Sequence, residues 1–244
     1  MRHWTALLLC AVAGTAVAAE IKVLSAGAIE PGLRAAAAAF GKQSGHDVKI
    51  TFNTAPEIRK RIVGGEAFDV VIAPPAALDE FAGAGKISAD RVDVGRVGLG
   101  VAVRPGAPVP DISSSEALKR SVLQAESIVF NRASSGIYFD NLLKKMGIYE
   151  QLQARTTRYA DAAAVMEHVL KGKGREIGFG PVTEILQHRD KGLKLVGPLP
   201  PEVQNYTSYS AVPMTAANAE LAKAFVRYLG SPESKALFVD AGID

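Results

Sequence analysis

From residue 20 onward the chain alternates short apolar runs with longer amphipathic segments, and glycine or proline punctuates most of the junctions. Ile21-Lys22-Val23-Leu24 reads as a strand, Glu30 to Lys42 as an alanine-rich helix with Pro31 in its first turn, and Gly45 as its stop. Val48 to Phe52 repeats the strand, and Asn53-Thr54-Ala55-Pro56 enters a short helix through Ile62, stopped by Gly64-Gly65. Asp69 to Ala73, the Pro74-Pro75 turn and Ala76 to Ala84 complete a β-α-β-α-β succession. Helical crossovers make such strands parallel neighbours, so the expected fold class is α/β, with mostly parallel sheets flanked by helices. Ligands on these sheets bind beyond the carboxyl ends of the strands.

Val94 to Val103 is a further apolar stretch, after which Arg104-Pro105-Gly106-Ala107-Pro108-Val109-Pro110 interrupts both helical and strand patterns. This segment reads as a crossover into a second lobe. A second set of units follows, with helices expected at 116–122, up to 146, 161–170 and 181–188. Strands are expected at 128–130, 177–180, 193–196 and 206–212. Two helices close the chain, Ala217 to Leu229 and a short one after Ser231-Pro232 reaching Val239. The pattern predicts lobe I from residues 20–103 plus 208–244, lobe II from 104–207, and a ligand cleft between them.

The N-terminus has the form of a secretory signal peptide. Met1-Arg2-His3 precedes an uncharged apolar run from Trp4 to Val17, which ends in small residues at Ala18-Ala19. The run is shorter than the roughly 20 apolar residues of a bilayer span. Cys10 lies within it, but Leu9 stands where lipid-modification sites favour a small residue. Residues 1–19 are therefore expected to be removed, leaving a periplasmic protein.

Removal takes away the only cysteine, and with it disulfide and thiolate chemistry. Without Arg2 the charge is 27 basic against 25 acidic residues, too balanced for a nucleic-acid binder. The remaining stretch of about 225 residues is long enough for a substantial core, and a monomer is expected. His3, His46, His168 and His188 lack metal-ligand spacing, Gly172-Lys173-Gly174 lacks that of a phosphate loop, and no glycine-flanked serine forms a nucleophile elbow. No metal and no cofactor is expected.

Three strand-to-helix turns are rich in small or hydroxyl residues: Ser25-Ala26-Gly27-Ala28, Asn53-Thr54-Ala55 and Ala133-Ser134-Ser135-Gly136. The first N–H groups of a helix have no intrahelical partner and carry the positive end of its dipole, so small residues there admit an anion. Serine and threonine at such positions also serve simply as caps. One turn is too little for micromolar affinity, which needs about 8 kcal/mol against about 1.5–3 for each charged hydrogen bond. Several turns from two lobes suffice. The candidate ligand-binding residues are Ser25, Gly27, Ala28, Thr54, Ala55, Ser134 and Ser135, together with Arg132, whose guanidinium fork matches a carboxylate.

Several segments, taken in order, resemble the molybdate-binding branch of the periplasmic solute-binding proteins of ABC transporters. They are Val23 to Ala28, Gly64 to Ala73, Gly172 to Gly180, Tyr209 to Pro213 and Phe225 to Glu233. The resemblance covers nearly all of the mature chain. It implies a two-lobed periplasmic-binding-protein fold of type II, a small anionic ligand in the cleft and a membrane permease as partner. It places the family's first binding serine at Ala28, its second at Thr54 or Ala55, and its second-lobe tyrosine near Pro181. With hydroxyls mostly missing at these positions, an organic acid competes with molybdate or tungstate as the ligand. The same fold also resembles that of periplasmic aconitate isomerases, whose chemistry needs an acid or base beside the ligand. Glu30, Glu57 and Tyr138 lie near the turns, but their spacing marks no proton-transfer pair.

Overall fold

The computed structural model describes residues 18–215 and 219–244. The expected signal segment, with Cys10, lies almost wholly outside the described residues, as do the first two residues of the helix expected from Ala217.

The first half builds the predicted succession. Strand β1 (Glu20–Ala26) leads through a 3-10 turn (Gly27–Ile29) into α1 (Glu30–Ser44), followed by β2 (Asp47–Asn53), α2 (Ala55–Val63), β3 (Val70–Ala73) and α3 (Pro75–Gly83). Proline occupies the first turns of α1, α2 and α3, where a missing N–H costs nothing. Gly45 ends α1 in the left-handed region at φ 73°, and its N–H reaches the carbonyl of Gly41 at 2.9 Å. β1 pairs in parallel with both β2 and β3.

The twelve-residue β4 (Val92–Val103) then crosses the molecule. Beyond it come α4 (Ser115–Gln124), β5 (Ser127–Asn131), α5 (Ser134–Lys145), α6 (Tyr149–Leu152) and β6 (Thr156–Tyr159). They are followed by α7 (Ala162–Lys171), β7 (Glu176–Pro181), α8 (Val182–Gln187) and β8 (Lys194–Pro198). β9 (Tyr206–Pro213) returns to the first half, where α9 (Ala219–Leu229) and α10 (Pro232–Asp240) end the chain. The polar run Thr156–Tyr159 was not foreseen as a strand. Half-buried and lacking an apolar alternation, it is a strand because it pairs with β5.

The strand order is β2-β1-β3-β9-β4-β7-β5-β6, with β8 on β4. Pairing is parallel among β1, β2 and β3 and among β5, β6 and β7, and antiparallel wherever β9 or β4 joins the two groups. β4 pairs with β9 over Val92 to Gly98, and with β7 and β8 from Leu99 onward. At the crossing, Gln204 clamps Leu99: its Oε1 accepts the Leu99 N–H at 3.1 Å and its Nε2 donates to the Leu99 carbonyl at 3.0 Å.

Each lobe has its own core. One draws on Ile21 to Val97 and on Tyr209 to Ile243, with Phe40 set edge-on to Phe225 at 5.1 Å. The other lobe packs clusters drawn from Leu99 to Leu199, with Phe139 stacked on Phe179 at 3.8 Å. Fully burying each such ring stabilises the fold by about 1.5–3 kcal/mol.

Candidate functional site

The parallel registers decide where a ligand site can form. Ala26 pairs with Asn53 and Ser25 with Ile72, so β1, β2 and β3 end side by side. In the second lobe Asn131 pairs with Tyr159 and Val129 with Gly178, which aligns the ends of β5, β6 and β7. The two sets of strand ends face each other across a cleft of about 360 Å³. Gly27 and Ala28, Thr54 and Ala55, Pro74, Ser134 and Ser135, Ala162 and Ala163, and Pro181 all line it.

Most helix starts at the cleft lack a side-chain cap. Away from it, Ser114 caps α4 by accepting the Ala117 N–H at 3.1 Å, and Ser231 caps α10 by accepting that of Ser234 at 3.2 Å. At the cleft only Asp161 caps in this way, accepting the Ala164 N–H at 2.8 Å. Ala26, Thr54, Pro74 and Ala133 precede their helical turns without a side-chain cap. Asn131 orders the start of α5 instead. Its Oδ1 accepts the N–H groups of Ala133 at 2.9 Å and Gly136 at 3.1 Å, while its Nδ2 donates to Ser135 Oγ at 3.0 Å. The N–H groups of Ser134 and Ser135 have no partner among the described residues and border the cleft.

The structure brings together six of the eight residues expected from sequence: Gly27, Ala28, Thr54, Ala55, Ser134 and Ser135. Two, Ser25 and Arg132, are outside the cleft lining. Ser25 is fully buried within β1 and its hydroxyl donates to the Ala26 carbonyl at 3.2 Å. Arg132 is exposed and outside the cleft lining. Its N–H extends the β5–β6 ladder to the Tyr159 carbonyl at 2.8 Å. Strand alternation therefore turns its side chain away from the face that Asn131 occupies. Tyr138 is also outside, its hydroxyl donating to the Val203 carbonyl at 2.8 Å.

Sequence reasoning missed Asn131, Asp161, Glu184 and His188 as lining residues; Tyr209, which sequence offers as either a cleft or a packing residue, also lines the cleft. Of those missed, Asp161 was legible as a helix cap; the others carry no local signal, because lobe packing places them.

Among the described residues four carboxylates line the cleft, Glu30, Glu57, Asp161 and Glu184, and no lysine or arginine does. Three of them are engaged: Glu30 with Arg34 at 2.7 Å, Glu57 with Lys60 at 3.5 Å, and Asp161 with the start of α7. Among the described residues nothing donates a hydrogen bond to the Glu184 carboxyl, which sits beside Gly27, 3.5 Å from where a Cβ there would stand. Part of its surface opens to the cleft while protein surrounds the rest. This burial, then the charges of Asp161 and Glu30, push its pKa up to about 7. A helix start favours a carboxylate by only about 0.3–1 kcal/mol, and burial outweighs it. Burial, and secondly the charge of Glu184, raise the neighbouring Tyr209 phenol as well. His188 Nδ1 lies 3.0 Å from the Glu184 main-chain carbonyl, which only accepts, so in the neutral ring the proton is on Nδ1. Among the described residues no group of three or more acidic or histidine side chains is placed to hold a metal ion.

Residues 21–244 match the family model of bacterial extracellular solute-binding proteins. The chain belongs to this family. Among its relatives is an aconitate isomerase from a Pseudomonas species, 32% identical over 233 residues, which span 91% of this chain and 87% of that protein. The fold of this solute-binding protein is shared with the periplasmic molybdate-binding protein of Azotobacter vinelandii. The TM-score is 0.77 at 20% identity, over 92% of this chain and 98% of the other. It is shared too with the sulfate-binding protein SubI of Mycobacterium tuberculosis H37Rv, with a TM-score of 0.75 at 14% identity over 92% and 86% of the two chains.

Proposed function

We propose that this solute-binding protein captures a small anion between its lobes in the periplasm, after loss of residues 1–19, and delivers it to an ABC-type permease. The observation that carries the reading is the convergence of helix starts from both lobes, most of them without side-chain caps, on one cleft. Each presents unpaired N–H groups and the positive end of a dipole, so together they neutralise a negative charge without any lysine or arginine. Gly27, Ala28, Thr54, Ala55, Ser134 and Ser135 are the proposed ligand-binding residues. The molybdate- and sulfate-binding proteins of the same fold make an oxyanion one candidate.

An organic acid suits this cleft better. Its volume holds roughly twelve waters at ~30 Å³ each, more room than a five-atom oxyanion fills. Ala28, Ala55 and Pro181 offer no hydroxyl to ring a compact tetrahedral ion. A thermal-shift screen of oxyanions and di- and tricarboxylates tests the proposal. A ligand at a hundred times its Kd stabilises by about 2.7 kcal/mol, a Tm rise of roughly 5–10 °C. If no anion raises the Tm, the proposal fails.

A second reading, isomerisation of an unsaturated tricarboxylate, is favoured by one specific observation. Glu184 places in the cleft a carboxyl that exchanges its proton near neutrality, the property a general acid or base requires. The Pseudomonas relative carries the name of such an isomerase. In deuterated water an isomerase washes label into trans-aconitate, whereas a carrier leaves the acid unlabelled.

A further inference from the structure

The cleft handles negative charge unevenly. Glu30 has Arg34, Glu57 has Lys60 and Asp161 has the α7 N–H groups, while Glu184 faces the same space with no donor of its own among the described residues. Its surroundings give an anionic form little support. The charges of Asp161, at the start of α7, and of Glu30, on α1, act on it, the buried phenol of Tyr209 on β9 neighbours it, and Glu57 on α2 lines the same cleft. On α8 itself the proton of His188 Nδ1 is directed to a main-chain carbonyl. An anion drawn in by the helix starts of the opposite lobe would add one more negative charge against this carboxyl.

We infer that Glu184 meets the ligand as a neutral carboxylic acid, donating a hydrogen bond to an anionic oxygen, so that binding draws a proton from solvent. The inference rests on the cleft being an anion site. Protonated, Glu184 supplies a charge-assisted donor where the cleft has no cationic side chain; ionised, it repels the ligand. The residue thus reads the ligand by its need for a donor at this position, and it couples affinity to pH. Burial pushes the pKa of free Glu184 up to about 7, so it is only partly ionised near neutrality, and the bound anion raises its proton affinity further.

Isothermal titration calorimetry in buffers of different ionisation heat measures the proton count directly. The probes are tricarballylate, a saturated tricarboxylate that cannot isomerise, and molybdate. Whichever probe binds should take up about half a proton per site at pH 7 and close to one at pH 8.5, with affinity falling about tenfold per unit above pH 7.5. In Glu184→Gln, which keeps a donor but cannot titrate, the uptake disappears and affinity no longer varies with pH. At pH 8.5 that variant binds more tightly than the unaltered protein. Binding without proton uptake, or a pH slope that survives in Glu184→Gln, overturns the role of Glu184 and leaves the anion site standing. Absence of binding by either probe, with no other anion raising the Tm, overturns both.

Discussion

Thr183 Oγ1 donates to the main-chain carbonyl of Ala28 across 2.6 Å, a buried hydrogen bond that ties the first turn of α8 to the 3-10 turn of the other lobe. The bonded residues adjoin Gly27 and Glu184 in the chain, both of which line the cleft, and α8 packs directly against that turn.

Replacing Thr183 with valine keeps the shape and removes the donor. The buried Ala28 carbonyl is then left without its partner, and stability should fall by about 1–3 kcal/mol. Urea denaturation measures the difference. A loss below about 0.3 kcal/mol would mean that the two lobes slide to admit water at this contact.

Glu184 should also be visible in the pH dependence of stability. A carboxyl that holds its proton more tightly in the folded chain stabilises that chain at low pH. The contribution is complete below the usual value of 4.5 and lost as pH rises through about 7. Glu184→Gln abolishes this component, so its stability relative to the unaltered protein rises between pH 4.5 and 7 by up to about 3 kcal/mol. Thermal melts across that range decide it; parallel pH curves for the two proteins would contradict the burial of this group.

Gly136 admits no side chain. A Cβ there would stand 1.8 Å from the Asn131 carbonyl oxygen, and the Gly136 N–H is itself held by Asn131 Oδ1. Gly136→Ala must push the start of α5 off the end of β5, at a cost of about 3 kcal/mol or more, and should weaken anion binding as it moves Ser134 and Ser135. Chemical denaturation alongside a binding titration would show both effects.

Asn131 and Arg132 are adjacent in the chain and opposite in role. Asn131→Asp keeps the oxygen that orders the Ala133–Gly136 turn but adds a negative charge beside the cleft, so anion affinity should fall about tenfold or more. Arg132→Ala removes a cation that points into solvent, and affinity should change by less than about twofold at 0.15 M salt. Calorimetric titration of both variants separates a charge at the site from one that merely lies nearby in sequence.

The amino-acid sequence determined the elements and their ends. Apolar runs with glycine and proline stops were enough to place most strands and helices, because burial and backbone geometry act over a few residues. The small residues after β1, β2 and β5 were legible for the same reason, and six of the eight expected positions do line the cleft. Tertiary structure alone decided the rest. Arg132 is left outside because the cleft forms on the face that Asn131 occupies, and which of the two alternating faces meets the other lobe is decided by packing and not by the neighbouring residues. Glu184 has no local mark at all: its proton affinity comes from burial, from Asp161 at the start of α7 in its own lobe, and from Glu30 of the other lobe, neighbours that only tertiary packing brings beside it.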